Sequence, residues 1–346
     1  MSDEAEILFA RNGKAGVITL NRPKALNAVT HNMVHLMHAQ MRDWETDAGV
    51  EVVILKGEGR AFSAGGDIME VYRAGKEGRL LTQFFADEYR LNAYLQRFPK
   101  PIVSLIDGIV MGGGVGLSFH GSHRVVGEKA LFAMPETGIG FFPDVGGSHL
   151  LSRIPGGFGM YLGLSGARIG PGDMLKSGLA THAVKSDDLA AIEAEIAETG
   201  DPDAVLAPLV ITPEPAIDEA ALLSIAKHFT MGSLADVVQS LQQAGASDEF
   251  AHAALEMLRK RSPTSLNVSF VQISNGAMLD MSECMRMEFR ILNRMLAGRD
   301  FYEGIRAALI DKGDTPKWSP ATLEEIDGLA IDAYFAPLEG GDLPIP

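Results

Sequence analysis

The chain has 346 residues, of which 46% are hydrophobic and 22% charged, so it is long enough for one large domain with an appendage or for two domains. Its net charge of −15 argues against nucleic acids and anionic membranes as partners, and its single cysteine, Cys284, excludes an intrachain disulfide and a cysteine-based metal site. The acidic N-terminal segment has neither secretion-signal nor transit-peptide character, which favours a soluble, cytoplasmic protein.

The first elements alternate between strands and helices. Apolar runs at 7–10 and 16–20 flank an Asn-Gly pair, which is typical of a hairpin turn. Thr30 can cap a helix that extends to about Asp47, because apolar side chains recur along one face of this segment. A short buried strand at 52–55 then leads into a glycine-rich turn.

The same order repeats further along the chain. The predicted elements are a helix at 84–97, a strand at 101–106, a glycine turn at 108–116 that opens a helix, strands at 124–126 and 131–132, and a helix start at 144–151. Strand, turn and helix in repeated order predict an α/β fold to about residue 190. Because 217–310 has helical periodicity, we expect a core at 1–200 and a helical C-terminal region at 201–346.

Two glycine turns follow two buried strands, GRAFSAGGD at 59–67 and DGIVMGGGVG at 107–116. Glycine leaves backbone N–H groups uncovered and lets a ligand approach them closely. Two such donors aimed at one point would form an oxyanion hole. The spacing alone is equally consistent with plain tight turns.

Other motifs point away from several enzyme classes. GGGVG at 112–116 lacks the third glycine of a dinucleotide-binding fingerprint, and the sequence contains neither a P-loop nor a G-x-S-x-G elbow. His31, His35 and His38 share one flank of the first predicted helix. An exposed polar face explains them better than a metal site, because no nearby acid or cysteine completes a ligand set. We therefore expect no metal.

The run FAMPETGIGFFPDVGG at 132–147 is apolar or glycine apart from Thr137 and two acids, Glu136 and Asp144. A charge in apolar surroundings costs several kcal/mol unless it is paired or protonated. Its prolines and glycines predict a shaped loop rather than a helix face. Either the acids are solvated at a tight turn or the protein uses them.

Four motifs, NRPKALNA (21–28), GRAFSAGGDI (59–68), DGIVMGGGVGLS (107–118) and MPETGIGFFPDVGG (134–147), occur in the order found in crotonases. The chain resembles this enoyl-CoA hydratase/isomerase superfamily over roughly 5–200. The resemblance implies an α/β fold, a crotonase-like spiral of ββα turns with a helical C-terminal part. It also implies an acyl-CoA-binding catalytic core in which the N–H groups of Gly66 and Gly113 hold the thioester oxygen.

The side chains within these motifs indicate a branch of the superfamily. Enoyl-CoA hydratases use two glutamates, whereas this chain has Glu136 at one position and Gly116 at the other. Dienoyl-CoA isomerases also need an acid at position 116. Gly116 therefore argues against a hydratase or isomerase, which is the alternative function.

MGGGVGLSFHG, FAMPETGIGFFPDVGG, SPTSL (262–266), RDFYEGIRAALIDK (299–312) and PKWSPA (316–321) resemble the 3-hydroxyisobutyryl-CoA hydrolases, thioesterases of valine breakdown. By position, this resemblance implies a substrate site at Glu88, Gly113, Glu136 and Asp144. Glu136 would attack the thioester or activate water, and Asp144 would bind the substrate 3-hydroxyl. Glu88 would share that task, although a solvated helix face is nearly as plausible for it.

CoA is expected as part of the substrate, and no separate cofactor is expected. Arg22 and Lys24 are the local candidates for its phosphates, with Arg60 as a further possibility. The family implies backbone contacts to CoA from Ala64, Gly66, Asp67 and Ile68. The expected partner is thus a small acyl-CoA. A homo-oligomer is possible, because members of the superfamily often assemble.

Overall fold

The computed structural model describes residues 5–345, which form two compact units interleaved along the chain. The first unit comprises the chain up to Asp67, Arg90–Phe132 and Ile169–Ala216. The second comprises Ile68–Tyr89, Ala133–Arg168 and the chain from Ile217 onwards. The units thus differ from the two consecutive regions expected at 1–200 and 201–346, because segments before residue 200 belong to each.

The strands are β1 (Ile7–Asn12), β2 (Ala15–Leu20), β3 (Val52–Gly57), β4 (Ala61–Ser63), β5 (Ile102–Ile106), β6 (Ile109–Met111), β7 (His123–Val126), β8 (Leu131–Ala133) and β9 (His182–Ala183). A six-stranded sheet has the order β1-β2-β3-β5-β7-β9, and a three-stranded sheet has the order β4-β6-β8. The hairpin β1-β2 is antiparallel, whereas β2, β3, β5, β7 and β9 pair in parallel. Parallel pairing requires crossover connections, as the strand–turn–helix order predicted.

The helices are α1 (His31–Thr46), α2 (Ile68–Lys76), α3 (Thr82–Gln96), α4 (Gly113–Ser118), α5 (Gly147–Leu151), α6 (Phe158–Ser165), α7 (Pro171–Lys176), α8 (Leu189–Thr199), α9 (Pro202–Leu206), α10 (Glu219–His228), α11 (Leu234–Ala244), α12 (Glu249–Leu258), α13 (Pro263–Gly276), α14 (Met281–Ala297), α15 (Asp300–Ile305) and α16 (Gly328–Phe335). A π-helical turn, Arg306–Ile310, follows α15 directly. Within residues 5–345, no helix is both long enough and apolar enough to cross a membrane.

Local sequence signals explain how the first unit begins. Gly13 adopts φ +54° in the β1-β2 turn, a left-handed conformation that glycine tolerates without strain. Thr30 accepts a hydrogen bond from Met33 N at 3.2 Å and so caps α1. The buried face of α1 consists of Met33, Val34, Met37, Met41 and Trp44. The predicted hairpin, helix cap and apolar face are all confirmed.

Capping residues also mark the helices of the second unit. The side chains that accept hydrogen bonds at these helix starts are Asp218, Ser233, Asp248, Ser262 and Asp280. Asp280 and Glu283 form a complete capping box at the start of α14. The prediction of successive helices over 217–310 is confirmed.

Candidate active site

The two glycine turns lie against each other in the first unit. A methyl group on Gly65 would lie 3.3 Å from the carbonyl oxygen of Met111 and 3.6 Å from the nitrogen of Gly113. Gly65 also has φ +109°, which only glycine adopts readily. The close approach therefore depends on glycine, and it brings the turn containing Gly66 beside the start of α4.

Residues of the first motif, NRPKALNA (21–28), hold this turn in place through hydrogen bonds. The fully buried Asn27 donates hydrogen bonds to the carbonyls of Glu58 and Ala61, at 2.9 and 2.8 Å. Its own carbonyl accepts one from Ser63 Oγ at 2.8 Å. The motif thus has a structural role in the first unit, which is to fix the path of the chain into the glycine turn.

The backbone N–H groups of the two candidate oxyanion residues are placed differently. Val29 pairs with Gly66 in a parallel bridge whose hydrogen bonds use Val29 N with Gly65 O and Asp67 N with Val29 O, both at 2.8 Å. The N–H of Gly66 takes no part in that bridge. Gly113 is buried at the first position of α4, where a helix has no intrahelical acceptor for its N–H groups. Both positions suit hydrogen-bond donation to a ligand.

An acidic cluster lies within the second unit and consists of Glu88, Glu136, Asp144 and Glu288. The four side chains are at most 6% exposed. Burial is the main cause that raises the pKa of each carboxyl group. The negative charge of Asp144 raises the pKa of the other three further. The charge state of Asp144 therefore affects the ionisation of each of the other three carboxyl groups.

Glu136 begins a short 3-10 turn, Glu136–Ile139, that tertiary contacts hold in place. Its carbonyl accepts a hydrogen bond from Phe141 N at 3.0 Å, and Thr137 Oγ donates to Leu164 O at 3.0 Å. Glu136 Oε2 is buried and has no hydrogen-bond partner among the described residues. The predicted loop is confirmed, and Glu136 is held there as a desolvated acid.

Asp144 lies further along the same loop, next to a backbone turn of unusual conformation. Tyr89 Oη donates a hydrogen bond to Asp144 Oδ2 at 2.9 Å. Burial raises the pKa of Asp144 to about 7, although the Tyr89 hydrogen bond acts in the opposite direction. This acid therefore changes its charge near neutral pH.

Glu88 is buried on α3, immediately before Tyr89. Its side chain is 1% exposed, and its Oε1 atom has no partner among residues 5–345. The nearly even alternative of a solvated helix face is therefore wrong for this residue. An unpaired polar atom beside Asp144 is a natural place for a ligand group or an ordered water molecule.

The candidate CoA contacts lie along the chain between β2 and α2. Arg22 is already engaged in the first unit, because its guanidinium donates to Asp67 Oδ2 at 3.1 Å and lies 3.3 Å from Glu6 Oε1. Lys24 is exposed, as is Ala64, whereas Gly66 and Asp67 are half-buried. Ile68, also half-buried, begins α2 in the second unit. Arg60 is an exposed residue just before β4.

The chain is similar to known proteins over most of its length. The family model for enoyl-CoA hydratase/isomerase matches residues 15–335. The chain belongs to this family. The expected membership, and with it the crotonase-like α/β fold, is confirmed.

Individual relatives of the enoyl-CoA hydratase/isomerase family cover nearly the whole chain. The mitochondrial 3-hydroxyisobutyryl-CoA hydrolase of Danio rerio is 44% identical over 100% of this chain and 94% of its own. A carnitinyl-CoA dehydratase from Mycobacterium thermoresistibile is 41% identical with a TM-score of 0.91, covering 98% of both chains. An enoyl-CoA hydratase from Rhodobacter sphaeroides is 40% identical with a TM-score of 0.88, covering 98% of this chain and 100% of its own.

Two residues of the site, Tyr89 and Glu288, were not predicted from the sequence, and Glu288 belongs to the acidic cluster. Tyr89 gave no signal, because its partner Asp144 is 55 residues away. Glu288 did leave a signal in the sequence, since it lies on the apolar face of α14, which also carries Cys284, Met285, Ile291 and Leu292. An acid on such a face indicates burial with a specific partner.

Proposed function

We propose that this protein is an enzyme that hydrolyses the thioester of 3-hydroxyisobutyryl-CoA, and also that of 3-hydroxypropionyl-CoA, to the free hydroxy acid and CoA. The single observation that carries the proposal is the identity of its acids. Glu136 and Asp144 are present and buried, whereas position 116 is a glycine within α4. The hydrolase name of the Danio rerio relative supports the same activity.

The two reactions differ in their need for a second acidic side chain, which this chain lacks at position 116. Adding water across a C=C bond needs a base for water and an acid for the α-carbon, so a hydratase uses two side chains. Breaking a thioester expels a thiol whose ordinary pKa is about 8.5, so the thiolate leaves without a strong general acid. A chain with glycine at position 116 is therefore suited to thioester hydrolysis, and the hydratase and dehydratase names of the two solved relatives point to the second candidate function.

The proposed mechanism starts at the thioester carbonyl. The N–H groups of Gly66 and Gly113 hold its oxygen as negative charge develops there. Glu136 either attacks the carbonyl carbon, giving a glutamyl-acyl anhydride that water then hydrolyses, or takes a proton from the attacking water. Its raised pKa makes the ionised carboxylate a stronger base than an exposed glutamate.

The acyl group is oriented by the other acids. We propose that ionised Asp144 accepts a hydrogen bond from the substrate 3-hydroxyl and that Glu88 shares this contact. For CoA, we propose Lys24 and Arg22 on the phosphates and Ala64, Gly66, Asp67 and Ile68 along the pantetheine and adenine. Arg22 would keep its ion pair with Asp67 and offer the phosphate only its remaining donors. Neither a metal nor a separate cofactor enters the proposal.

A non-catalytic acyl-CoA-binding protein is a third possibility. Binding alone needs no buried acid at the thioester. A buried carboxyl oxygen without a partner, such as Oε2 of Glu136, destabilises the fold, and a catalytic role explains why such a group is kept.

The proposal extends to valine catabolism, to a cytoplasmic location and to a homo-oligomer. The curated relatives are named as mitochondrial proteins, so fractionation of the producing cells tests the location.

The decisive experiment measures thiol release from 3-hydroxyisobutyryl-CoA beside hydration of crotonyl-CoA on the same preparation. Thiol release without hydration establishes the hydrolase. Hydration without thiol release would mean that another side chain supplies the missing acid, and the hydratase alternative would replace the proposal. Binding of the CoA ester with neither reaction would favour the binding protein.

A further inference from the structure

Glu288 is a fully buried carboxylate that the proposed reaction does not use. It projects from the middle of α14, a helix whose other buried side chains are apolar. Its Oε2 accepts a hydrogen bond from Gly146 N at 2.9 Å, and its Oε1 accepts one from Ser148 N at 3.0 Å and another from Ser148 Oγ. These three donors offset part of the cost of burying this carboxyl group, although burial still raises its pKa to about 8.

All three donors come from the residues that follow Asp144. The backbone there is strained at Val145, which has φ +50°, whereas the neighbouring Gly146 adopts φ +87° without strain. The left-handed region costs a β-branched residue such as valine about 1–2 kcal/mol, so the conformation persists only when its surroundings hold it. Gly146 directly follows Val145 and Ser148 lies three residues after it, so Glu288 holds the strained turn from its C-terminal side.

Other contacts leave this turn little freedom to relax in another direction. Gln272 Nε2 donates to the carbonyl of Pro143 on the other side of Asp144. A methyl group on Gly276 would lie 2.3 Å from the carbonyl of Ser148, so α13 lies directly against this segment. The direction of the Asp144 side chain is thus set from both sides of the turn.

We infer that Glu288 is a positioning residue that holds Asp144 toward the substrate and so determines the selectivity for acyl groups with a 3-hydroxyl. The inference rests on the proposed function, in which Asp144 binds that hydroxyl. Glu288 itself touches no reacting atom. A merely structural anchor would support hydrolysis of every acyl-CoA equally, and this difference makes the inference testable.

Glu288→Gln is the most informative variant, because it keeps the size of the side chain but has only one acceptor oxygen. The amide nitrogen would face a peptide N–H, so at least one of the three hydrogen bonds is lost. Glu283→Gln is the matched control on the same helix. Glu283 is exposed and completes the capping box at Asp280, a role that glutamine also fills.

The measurement is kcat/KM for 3-hydroxyisobutyryl-CoA divided by kcat/KM for isobutyryl-CoA, which lacks the 3-hydroxyl. We expect Glu288→Gln to lower this ratio at least about tenfold and Glu283→Gln to leave it unchanged. Losing a hydrogen bond to a charged group typically costs about one to two factors of ten in an equilibrium or rate constant. Ser148→Ala, which removes one of three donors, should lower the ratio about threefold.

Each outcome decides the inference. An unchanged ratio in folded Glu288→Gln, or an equal loss on both substrates, overturns it. If Glu288→Gln does not fold, Ser148→Ala decides in the same way. If the wild-type protein releases no thiol from either substrate, both the proposed function and the inference are overturned. If the wild type prefers the 3-hydroxylated substrate and Glu288→Gln prefers it equally, only the inference is overturned.

Discussion

Tyr89 Oη donates a hydrogen bond to Asp144 Oδ2 at 2.9 Å in the interior of the second unit, although the two residues are 55 positions apart in the sequence. The tyrosine ring is fully buried and packs edge-on against Phe289 at a centroid distance of 6.3 Å. Because Glu88 precedes Tyr89 on α3, this helix presents an acid and a donor to the acidic cluster in consecutive positions. The hydrogen bond stabilises the ionised form of Asp144 and so lowers its pKa.

Tyr89→Phe should shift the pH dependence of the reaction. Without the hydroxyl donor, the pKa of Asp144 rises above its value of about 7, so more of Asp144 is protonated at neutral pH. We expect kcat/KM for 3-hydroxyisobutyryl-CoA to fall about 3–10-fold at pH 7 and to recover toward pH 9. The acidic limb of the pH profile should move upward.

The matched control for this change is Tyr94→Phe on the same helix. Tyr94 donates to Glu45 instead, in the first unit. Its pH profile should coincide with that of the wild type. A Tyr89→Phe profile that drops equally at every pH would show that the hydroxyl does not act through the ionisation of Asp144.

Glu136→Gln should abolish turnover without abolishing binding. An amide neither attacks a thioester nor takes a proton from water, so we expect kcat to fall at least about 10³-fold. The dissociation constant of a non-hydrolysable CoA thioether should stay within about threefold of the wild type. Thiol release and calorimetric titration measure the two quantities, and thiol release at the wild-type rate would disprove the role of Glu136.

Most of the local structure was predictable because it depends on signals a few residues apart. The Asn-Gly pair of the hairpin, the Thr30 cap and the apolar face of α1 act over at most a few turns. The order of buried strand, glycine turn and helix predicted the α/β fold for the same reason. The interleaving of the two units left no such signal, since it depends on contacts among distant segments.

The site was predictable only in part. The loop with Glu136 and Asp144 stood out because acids interrupt an apolar run. The partners of its supporting residues did not, since Tyr89 and Glu288 contact the loop across 55 and 140–142 residues, although the position of Glu288 on the apolar face of α14 indicated its burial. The ion pairs of Arg22 with Asp67 and Glu6 could not be predicted either, because no local sequence pattern indicates which acid an arginine contacts.

Glu88→Gln should make the protein more stable at alkaline pH. Burial raises the pKa of Glu88 in the folded state, so ionisation opposes folding once the pH exceeds the ordinary value near 4.5. The free energy of unfolding of the wild type therefore decreases from about pH 4 toward pH 8 through this group. The variant lacks that penalty, so its Tm at pH 8 should be at least about 2 °C higher, with no difference near pH 4.

Differential scanning calorimetry across this pH range checks the stability prediction, with Glu339→Gln as a control at an exposed position of the same unit. The control should leave the Tm unchanged at both ends of the range. A Glu88→Gln protein less stable than the wild type at pH 8 would mean that ionised Glu88 has favourable partners.

Gly114→Ala should disturb the two glycine turns of the first unit. An added methyl group would lie 2.6 Å from the carbonyl oxygen of Ser63, so the start of α4 must move away from the turn that contains Gly66. Such overpacking typically costs about 1–3 kcal/mol of stability. Displacing an N–H donor from a developing oxyanion lowers kcat, and we expect a loss of about 10²-fold from thiol-release kinetics. Gly170→Ala is the control in the same unit, because its methyl group would meet no atom within 4 Å. If both variants keep wild-type kcat while Gly114→Ala loses stability, the close approach of the two turns is structural and the oxyanion role of Gly113 is wrong.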